Sequence, residues 1–211
     1  MNLLEQYAQA HSQNFSVETL AVLKELERAT HLHTLAPQML SGALQGEWLS
    51  FFSKMIAPAY IVEVGTFTGY SAICLAQGLQ AGGYLHTIEL NEELEPLIKK
   101  FVAKADLSEK IRLHIGDAKQ IIPTLPDGID LAFIDADKMA YTDYYEQLLP
   151  KIKPGGYLLV DNVIWYGKVL EQNPDTKTKS IQAFNQYVYQ DTRVEKFLLT
   201  IRDGLYIVRK K

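Results

Sequence analysis

Apolar residues recur at helical spacing through the first quarter of the chain. Ser16 can cap a helix whose apolar positions are Val17, Leu20, Ala21, Leu23 and Leu26. A second helix is predicted from near Gly46 to Pro58, with apolar residues at Trp48, Leu49, Phe51, Phe52, Met55 and Ile56. This wide apolar face predicts packing against a core, and an interface with another subunit is the alternative.

After residue 58, short apolar runs alternate with amphipathic stretches. The predicted strands are 59–64, 84–90, 111–115, 129–134 and 157–160, and the predicted helices are 70–79, 92–105, 118–122, 143–149 and 180–189. Such alternation is typical of a doubly wound α/β fold, in which helices cover both faces of a parallel sheet.

The end of the chain departs from this alternation. Two more strands are predicted at 196–202 and 205–209, and Asp203-Gly204 between them favours a two-residue type I′ hairpin. Strands joined so closely run antiparallel, whereas a dinucleotide-binding Rossmann sheet is parallel throughout. We therefore predict a mostly parallel seven-stranded sheet with one antiparallel last strand.

No repeat divides the chain, so we expect one domain, with a helical extension at 1–45 and a core at 46–211.

Composition narrows the classes of function. The chain has 211 residues, 22% of them charged, and a net charge of −4 without a basic stripe, which argues against nucleic acid as a partner. No apolar run approaches the ~18 residues of a membrane span, and the first residues lack a signal sequence, so we expect a cytoplasmic protein that does not bind membranes. A single cysteine, Cys74, excludes an intrachain disulfide and a cysteine zinc site.

A glycine pair lies where the first strand of the sheet meets its helix. Gly65 and Gly69 have the spacing G-x-x-x-G, which differs from the glycine patterns that bind a pyrophosphate. Glu89 follows 24 residues after Gly65, and an acid about 20 residues on binds ribose hydroxyls in nucleotide-binding α/β folds. A ribose-bearing cofactor without a pyrophosphate fits S-adenosylmethionine, whereas structural glycines and a solvated loop acid are the alternative.

Acidic residues also end the fourth and fifth predicted strands. Asp135 follows one strand, and Asp161 and Asn162 follow the next. Since neighbouring parallel strands end at one edge of the sheet, these side chains can converge as an oxygen-only ligand set for Mg²⁺, Ca²⁺ or Mn²⁺. The alternative is that they are ordinary capping residues of loops.

Three segments together resemble the cation-dependent O-methyltransferases, the caffeoyl-CoA and catechol O-methyltransferase-like group that uses S-adenosylmethionine. They are VEVGTFTGYS at 62–71, FIDADK at 133–138 and DNVIW at 161–165. The resemblance runs from about Leu40 to the C-terminus. It implies a Rossmann-like methyltransferase fold and transfer of a methyl group to a hydroxyl of a catechol-like or caffeoyl-type acceptor.

The resemblance also implies a role for each matching position. Asp135, Asp161 and Asn162 match the metal ligands, and Lys138 matches the lysine that handles the hydroxyl proton, with Asp135 beside it as a catalytic residue. The cofactor would contact Ser41, Glu63, Gly65, Thr66, Ser71, Glu89, Ala118 and Asp137. Trp165 and Tyr166 would line the pocket of the aromatic acceptor. The family is often homodimeric, so a homodimer is expected.

Two other functions stay open at this point. A nicotinamide-dependent oxidoreductase would need a pyrophosphate-binding turn that the sequence lacks. A non-catalytic nucleotide-binding module could keep the fold without the chemistry, since fold does not fix function. The complete set of Asp135, Asp161, Asn162 and Lys138 argues against that second alternative.

Overall fold

A computed structural model describes residues 3–211, which form a seven-stranded sheet between two layers of helices. The strands are β1 Tyr60–Val64, β2 Tyr84–Glu89, β3 Ile111–Ile115, β4 Ile129–Ile134, β5 Ile152–Asp161, β6 Val194–Leu199 and β7 Leu205–Lys210. Their order is β3-β2-β1-β4-β5-β7-β6, and β7 runs antiparallel to both of its neighbours. The predicted fold class, with a reversed last strand, is confirmed; β7 lies inside the sheet and β6 at its edge.

The helices are α1 Leu3–Ala10, α2 Val17–His33, α3 Gly42–Ile56, α4 Tyr70–Ala76, α5 Glu95–Lys104, α6 Ala118–Ile121, α7 Tyr141–Lys151 and α8 Thr176–Gln190. Ser16 caps α2 as predicted, since its hydroxyl accepts a hydrogen bond from the Thr19 N–H. None of the helices between residues 3 and 211 combines the length and hydropathy that crossing a bilayer requires.

The helix predicted to begin near Gly46 in fact begins at Gly42. Its apolar face is also less buried than a core role predicts. Leu49 is fully buried, but Phe51 is 57% exposed and Met55 is 68% exposed. The interpretation of this whole face as core is therefore wrong for its outer residues, because α3 packs on the sheet through one side only.

The predicted two-residue hairpin turn is wrong. β6 ends at Leu199, and Leu199 pairs with Leu205, so the turn contains the five residues 200–204. Gly204 has a φ of 84°, and a Cβ at that position would clash with the Ile164 side chain. The longer turn projects from the sheet next to the segment that follows β5.

The strand pairs bring two histidines together on one face of the sheet. His86 Nδ1 lies 2.8 Å from His114 Nε2, with the rings stacked, and Arg112 lies over the Tyr84 ring. Burial lowers the pKa of His86 to about 4, with His114 and then Arg112 acting in the same direction. Burial and Arg112 likewise lower the pKa of His114.

We expect this pair to make the fold sensitive to acid. The folded-state pKa of His86 lies below the ordinary value near 6.5, so its contribution is complete above pH 6.5 and is lost as the pH falls toward 4. The free energy of unfolding, measured with urea, should fall by an amount on the order of 2 kcal/mol between pH 6.5 and pH 4. The fall should be smaller in His86→Phe. His33→Phe, at an exposed histidine, is the control; an unchanged pH dependence in His86→Phe would contradict the prediction.

Candidate active site

The candidate site lies at the carboxyl edge of the sheet, where the strand order reverses between β1 and β4. Ligands of open α/β sheets bind at this position, because loops from neighbouring strands diverge there and leave a crevice. A cavity of about 930 Å³ opens at this edge. The loops after β1, β4 and β5, the start of α3 and the β6–β7 turn line it.

The glycine loop after β1 is shaped by a close approach of two chain segments. Gly65 has a φ of 98°, and a Cβ there would overlap the carbonyl oxygen of Asp135. The Asp135 N–H donates to the Val64 carbonyl at 2.9 Å, which ties the loop after β4 to the end of β1. Gly69 is left-handed and precedes the first residue of α4. Gly65 therefore allows the predicted cofactor loop and the loop that carries Asp135 to come into contact.

Glu63 lies fully buried beneath that loop. Its Oε2 accepts a hydrogen bond from the Thr87 hydroxyl at 2.5 Å, and Thr87 in turn contacts the Thr66 hydroxyl. Burial raises the pKa of Glu63 to about 8, although hydrogen bonds from Ser71 and Thr87 oppose the shift. The neutral form of Glu63 is thus favoured relative to an exposed glutamate, and the side chain supports the loop from below.

Glu89 anchors the same loop from β2. Its carboxylate accepts the Phe67 N–H at 2.7 Å and the Asn91 N–H at 2.9 Å. Each carboxylate oxygen keeps a second lone pair, so Glu89 can also accept a hydrogen bond from a ligand hydroxyl. Glu89 is the last residue of β2, and its role as a ribose-binding acid stays a prediction.

The predicted metal ligands meet across two neighbouring strands. Ile134 is in register with Val160, so Asp135 and Asp161 follow adjacent positions in β4 and β5. Asp161 is only 3% exposed, and its Oδ1 accepts the N–H of Asn162 at 2.8 Å. Burial raises the pKa of Asp161, and the nearby charge of Asp135 raises it further. This repulsion is the condition that a divalent cation would relieve.

The donor set fits a hard cation. Two carboxylates and the amide of Asn162 offer oxygen atoms alone, which suits Mg²⁺, Ca²⁺ or Mn²⁺. Within residues 3–211, no three His, Cys, Asp or Glu side chains are grouped as a metal site. A cation here would thus rely on an amide oxygen and on water or substrate for its remaining ligands.

Lys138 lies beside the carboxylates. Its Nζ donates to Asp135 Oδ1 at 2.8 Å, and both side chains are largely shielded from solvent. The ammonium also lies 5.3 Å from the centre of the Tyr141 ring, whose hydroxyl donates to the Asp161 carbonyl. Lys138 is thus held at the junction of the cavity and the proposed metal ligands.

Two aromatic residues follow the β5 segment in left-handed conformations. Trp165 has a φ of 52° and Tyr166 a φ of 55°, and their ring centres lie 5.6 Å apart. Tyr166 is 78% exposed, and its N–H donates to the Asp203 carboxylate. Both line the cavity, as the predicted acceptor pocket requires.

The structure separates the predicted cofactor residues into two groups. Ser41, Gly65, Thr66, Ser71 and Asp137 line the cavity. Glu63, Glu89 and Ala118 lie outside its lining, at the ends of β1 and β2 and at the start of α6.

Residues that the sequence analysis did not single out also line the cavity or contact the proposed ligands. Three of them matter for the site: Gln45, Arg202 and Asp203. Arg202 and Asp203 belong to the turn that the sequence predicted to be too short, and Gln45 had no motif to mark it.

Comparison with known proteins agrees with this geometry. The model of the O-methyltransferase family matches residues 13–211. A caffeoyl-CoA O-methyltransferase from Stellaria longipes is 32% identical over 200 residues, covering 89% of this chain and 83% of its own. Catechol O-methyltransferase domain-containing protein 1 from mouse is 35% identical over 172 residues, covering 79% and 66% respectively.

Solved structures show the same fold. The O-methyltransferase from Bacillus cereus in complex with SAH superposes with a TM-score of 0.89 at 26% identity, covering 99% of this chain and 97% of the other. TomG from Streptomyces achromogenes, in complex with SAM, gives a TM-score of 0.88 at 26% identity, covering 100% and 96%.

The reversed β7 and the site at the β1/β4 crevice define a Rossmann-like methyltransferase. The family match over nearly the whole chain then fixes the reaction class. The chain belongs to the O-methyltransferase family and is an S-adenosylmethionine-dependent O-methyltransferase.

Proposed function

We propose that the enzyme requires a divalent cation, Mg²⁺ most simply, and methylates a hydroxyl of a catechol-like or caffeoyl-type acceptor. One observation carries the proposal. Asp135 and the buried Asp161 lie at the ends of adjacent strands beside the cavity, where burial raises the pKa of Asp161 and the charge of Asp135 raises it further. Lys138 already pairs with Asp135, and a divalent ion held by both carboxylates would stabilise the charge of the buried Asp161 as well.

Different residues of the chain would bind the cation, the cofactor and the acceptor. Asp135, Asp161 and Asn162 would hold the cation, and the loop from Gly65 to Ser71 with Glu89 would hold S-adenosylmethionine. The cation, when bound, supplies Lewis acidity that makes a neighbouring phenol more acidic. Trp165 and Tyr166 would flank the aromatic ring and orient it toward the methyl donor.

Lys138 would take the proton of the reacting hydroxyl. A lysine serves as a base only as the neutral amine, and in the structure its Nζ is paired with Asp135. A cation bound by Asp135 would weaken this ion pair, and the ammonium could then give one proton to water and become the neutral amine. The hydroxyl proton then moves to Nζ while the oxygen takes the methyl group from sulfur.

An acceptor panel tests this function. We expect catechol, with two neighbouring hydroxyls, to be methylated, and resorcinol, with the same hydroxyls one carbon further apart, to react far more slowly. The reason is that only neighbouring oxygens can bind one cation together. The rates are measured as transfer of labelled methyl from S-adenosylmethionine to each diol. Equal rates on the two diols would contradict the proposal.

A binding measurement addresses the two alternatives from the sequence. S-adenosylmethionine should bind, and NADH should not, because the loop after β1 lacks the glycine pattern of a pyrophosphate site. Binding of S-adenosylmethionine without any methyl transfer across the panel would instead favour a nucleotide-binding module. The cytoplasmic location stays a prediction from the sequence.

We also propose a homodimer that buries the exposed part of α3. Phe51 and Met55 of α3 are exposed, and Phe197 of β6 is 63% exposed. Phe52 contacts Tyr157 of β5, and the β7 residue in register with Phe197 packs against the same apolar cluster as Phe52, so these side chains lie on one side of the sheet. Burial of such a surface by a second copy would stabilise the pair.

Sedimentation tests the dimer. The wild-type protein should have twice the 23.9 kDa mass of one chain, and Phe197→Asp should shift it toward the monomer. Tyr189→Asp, at an exposed residue of α8, is the matched control. A wild-type mass near that of one chain would contradict the dimer.

A further inference from the structure

A buried glutamine contacts one of the proposed metal ligands. Gln45 lies in the first turn of α3 and is 1% exposed. Its Nε2 donates to Asp161 Oδ2 at 2.7 Å. A buried polar side chain in such a contact fixes its partner, because breaking the bond would leave two buried polar groups without partners.

A neighbouring arginine sets which way the Gln45 amide faces. Arg202 Nη1 donates to Gln45 Oε1 at 2.7 Å, and the same guanidinium donates to the Ser41 and Leu40 carbonyls. An arginine can donate but cannot accept, so the amide oxygen must face Arg202. The amide nitrogen therefore faces Asp161 and can only donate to it.

Both oxygens of Asp161 are thus held. Oδ2 accepts from Gln45, and Oδ1 accepts from the Asn162 N–H. Two donors on opposite sides of a carboxylate fix its plane, while each oxygen keeps a second lone pair for a cation. This is the arrangement by which outer hydrogen bonds orient metal ligands.

The turn between β6 and β7, which contains Arg202, also holds the loop that follows Asn162. The backbone carbonyl of Asp203 accepts the Ile164 N–H at 2.9 Å, and the side-chain carboxylate of Asp203 accepts the Tyr166 N–H. The five-residue turn between β6 and β7 therefore connects the start of α3 with the loop of the predicted acceptor pocket.

We propose that Gln45 is a positioning residue that holds Asp161 ready to bind the metal, and that Arg202 orients the Gln45 amide. The inference rests on the proposed metal-dependent function and adds to it two residues from outside the ligand set. Loss of a hydrogen-bond partner of a ligand lowers metal affinity by about 10–100-fold.

Direct binding of Mn²⁺ tests the proposal, measured from the electron paramagnetic resonance signal of free Mn²⁺ with the full-length protein. Gln45→Leu should bind Mn²⁺ about 10–100-fold more weakly than the wild type and keep its affinity for S-adenosylmethionine. Its melting temperature should fall, because Asp161 and Arg202 each lose a hydrogen bond to Gln45, so binding is measured well below that temperature. Its turnover should rise toward the wild-type value as Mg²⁺ is increased, because the defect lies in affinity.

Two further variants separate positioning from folding. Ser53→Ala removes another buried hydrogen bond from α3, between the Ser53 hydroxyl and the Leu75 carbonyl, and should leave Mn²⁺ affinity unchanged. Arg202→Met lies in the turn and leaves Gln45 in place, so it tests the proposal even if Gln45→Leu fails to fold. It should weaken Mn²⁺ binding in the same direction by a smaller factor.

The outcomes distinguish this inference from the function on which it rests. Wild-type affinity in Gln45→Leu and Arg202→Met, with binding lost in Asp161→Ala, would overturn the positioning role and leave the metal function standing. Failure of the wild-type protein to bind Mn²⁺ would overturn both. If Ser53→Ala weakened Mn²⁺ binding as much as Gln45→Leu does, any disturbance of α3 would lower the affinity. That result would overturn the positioning role of Gln45.

Discussion

Replacing Asp161 by alanine is expected to reduce methyl transfer by about 10³-fold or more while S-adenosylmethionine still binds. The metal's Lewis acidity contributes several kcal/mol to such a reaction, and each 1.36 kcal/mol is worth a factor of ten in rate. Asp161 is the last residue of β5, whereas the predicted cofactor loop follows β1. Loss of the ligand should therefore affect turnover far more than cofactor binding.

The measurement compares turnover with catechol and the dissociation constant of S-adenosylmethionine in the two proteins. Asp130→Asn is the matched control, because Asp130 is also a buried acid at an end of β4 but accepts the N–H groups of Ala59 and Tyr60 at 2.8 Å. It should change stability and leave turnover per folded molecule intact. Cofactor binding that collapses together with turnover in Asp161→Ala would contradict the separation of the two sites.

Replacing Lys138 by methionine is expected to lower turnover by 10²–10⁴-fold, the usual contribution of a general base. Lys138→Arg should be almost as slow, because an arginine keeps the positive charge but does not lose its proton in a protein. The pair of variants thus separates proton transfer from electrostatic support of Asp135.

Turnover with catechol at saturating S-adenosylmethionine and Mg²⁺ measures this prediction. Lys151→Met is the control, since Lys151 is shielded to a similar degree but donates to the Leu125 carbonyl and pairs with Asp127. Wild-type turnover in Lys138→Arg would exclude Lys138 as the base. Its role would then be only to place a positive charge beside Asp135.

Much of the fold could be predicted from the sequence, because strands and helices bury regular faces. The strand at 111–115 was predicted with its observed bounds, and the reversed last strand followed from the short connection before it. The turn itself was predicted wrongly, since Asp203-Gly204 fits a two-residue hairpin locally. Its five-residue form depends on contacts with Ile164 that only the folded chain supplies.

The ligand set was accessible to sequence reasoning for a physical reason. Acids directly after neighbouring parallel strands must lie at one edge of the sheet, so Asp135 and Asp161 could be paired without coordinates. Gln45 could not be found in this way. It lies 116 residues before Asp161, and a glutamine within an amphipathic helix carries no pattern that distinguishes it from a solvated residue.

The dependence on a divalent cation is the central claim, and one measurement tests it most directly. Protein stripped with a chelator and then freed of it is assayed for transfer of labelled methyl from S-adenosylmethionine to catechol, with and without added Mg²⁺. We predict that the stripped enzyme is inactive and that Mg²⁺ restores its turnover. Full activity of the metal-free enzyme would contradict the claim.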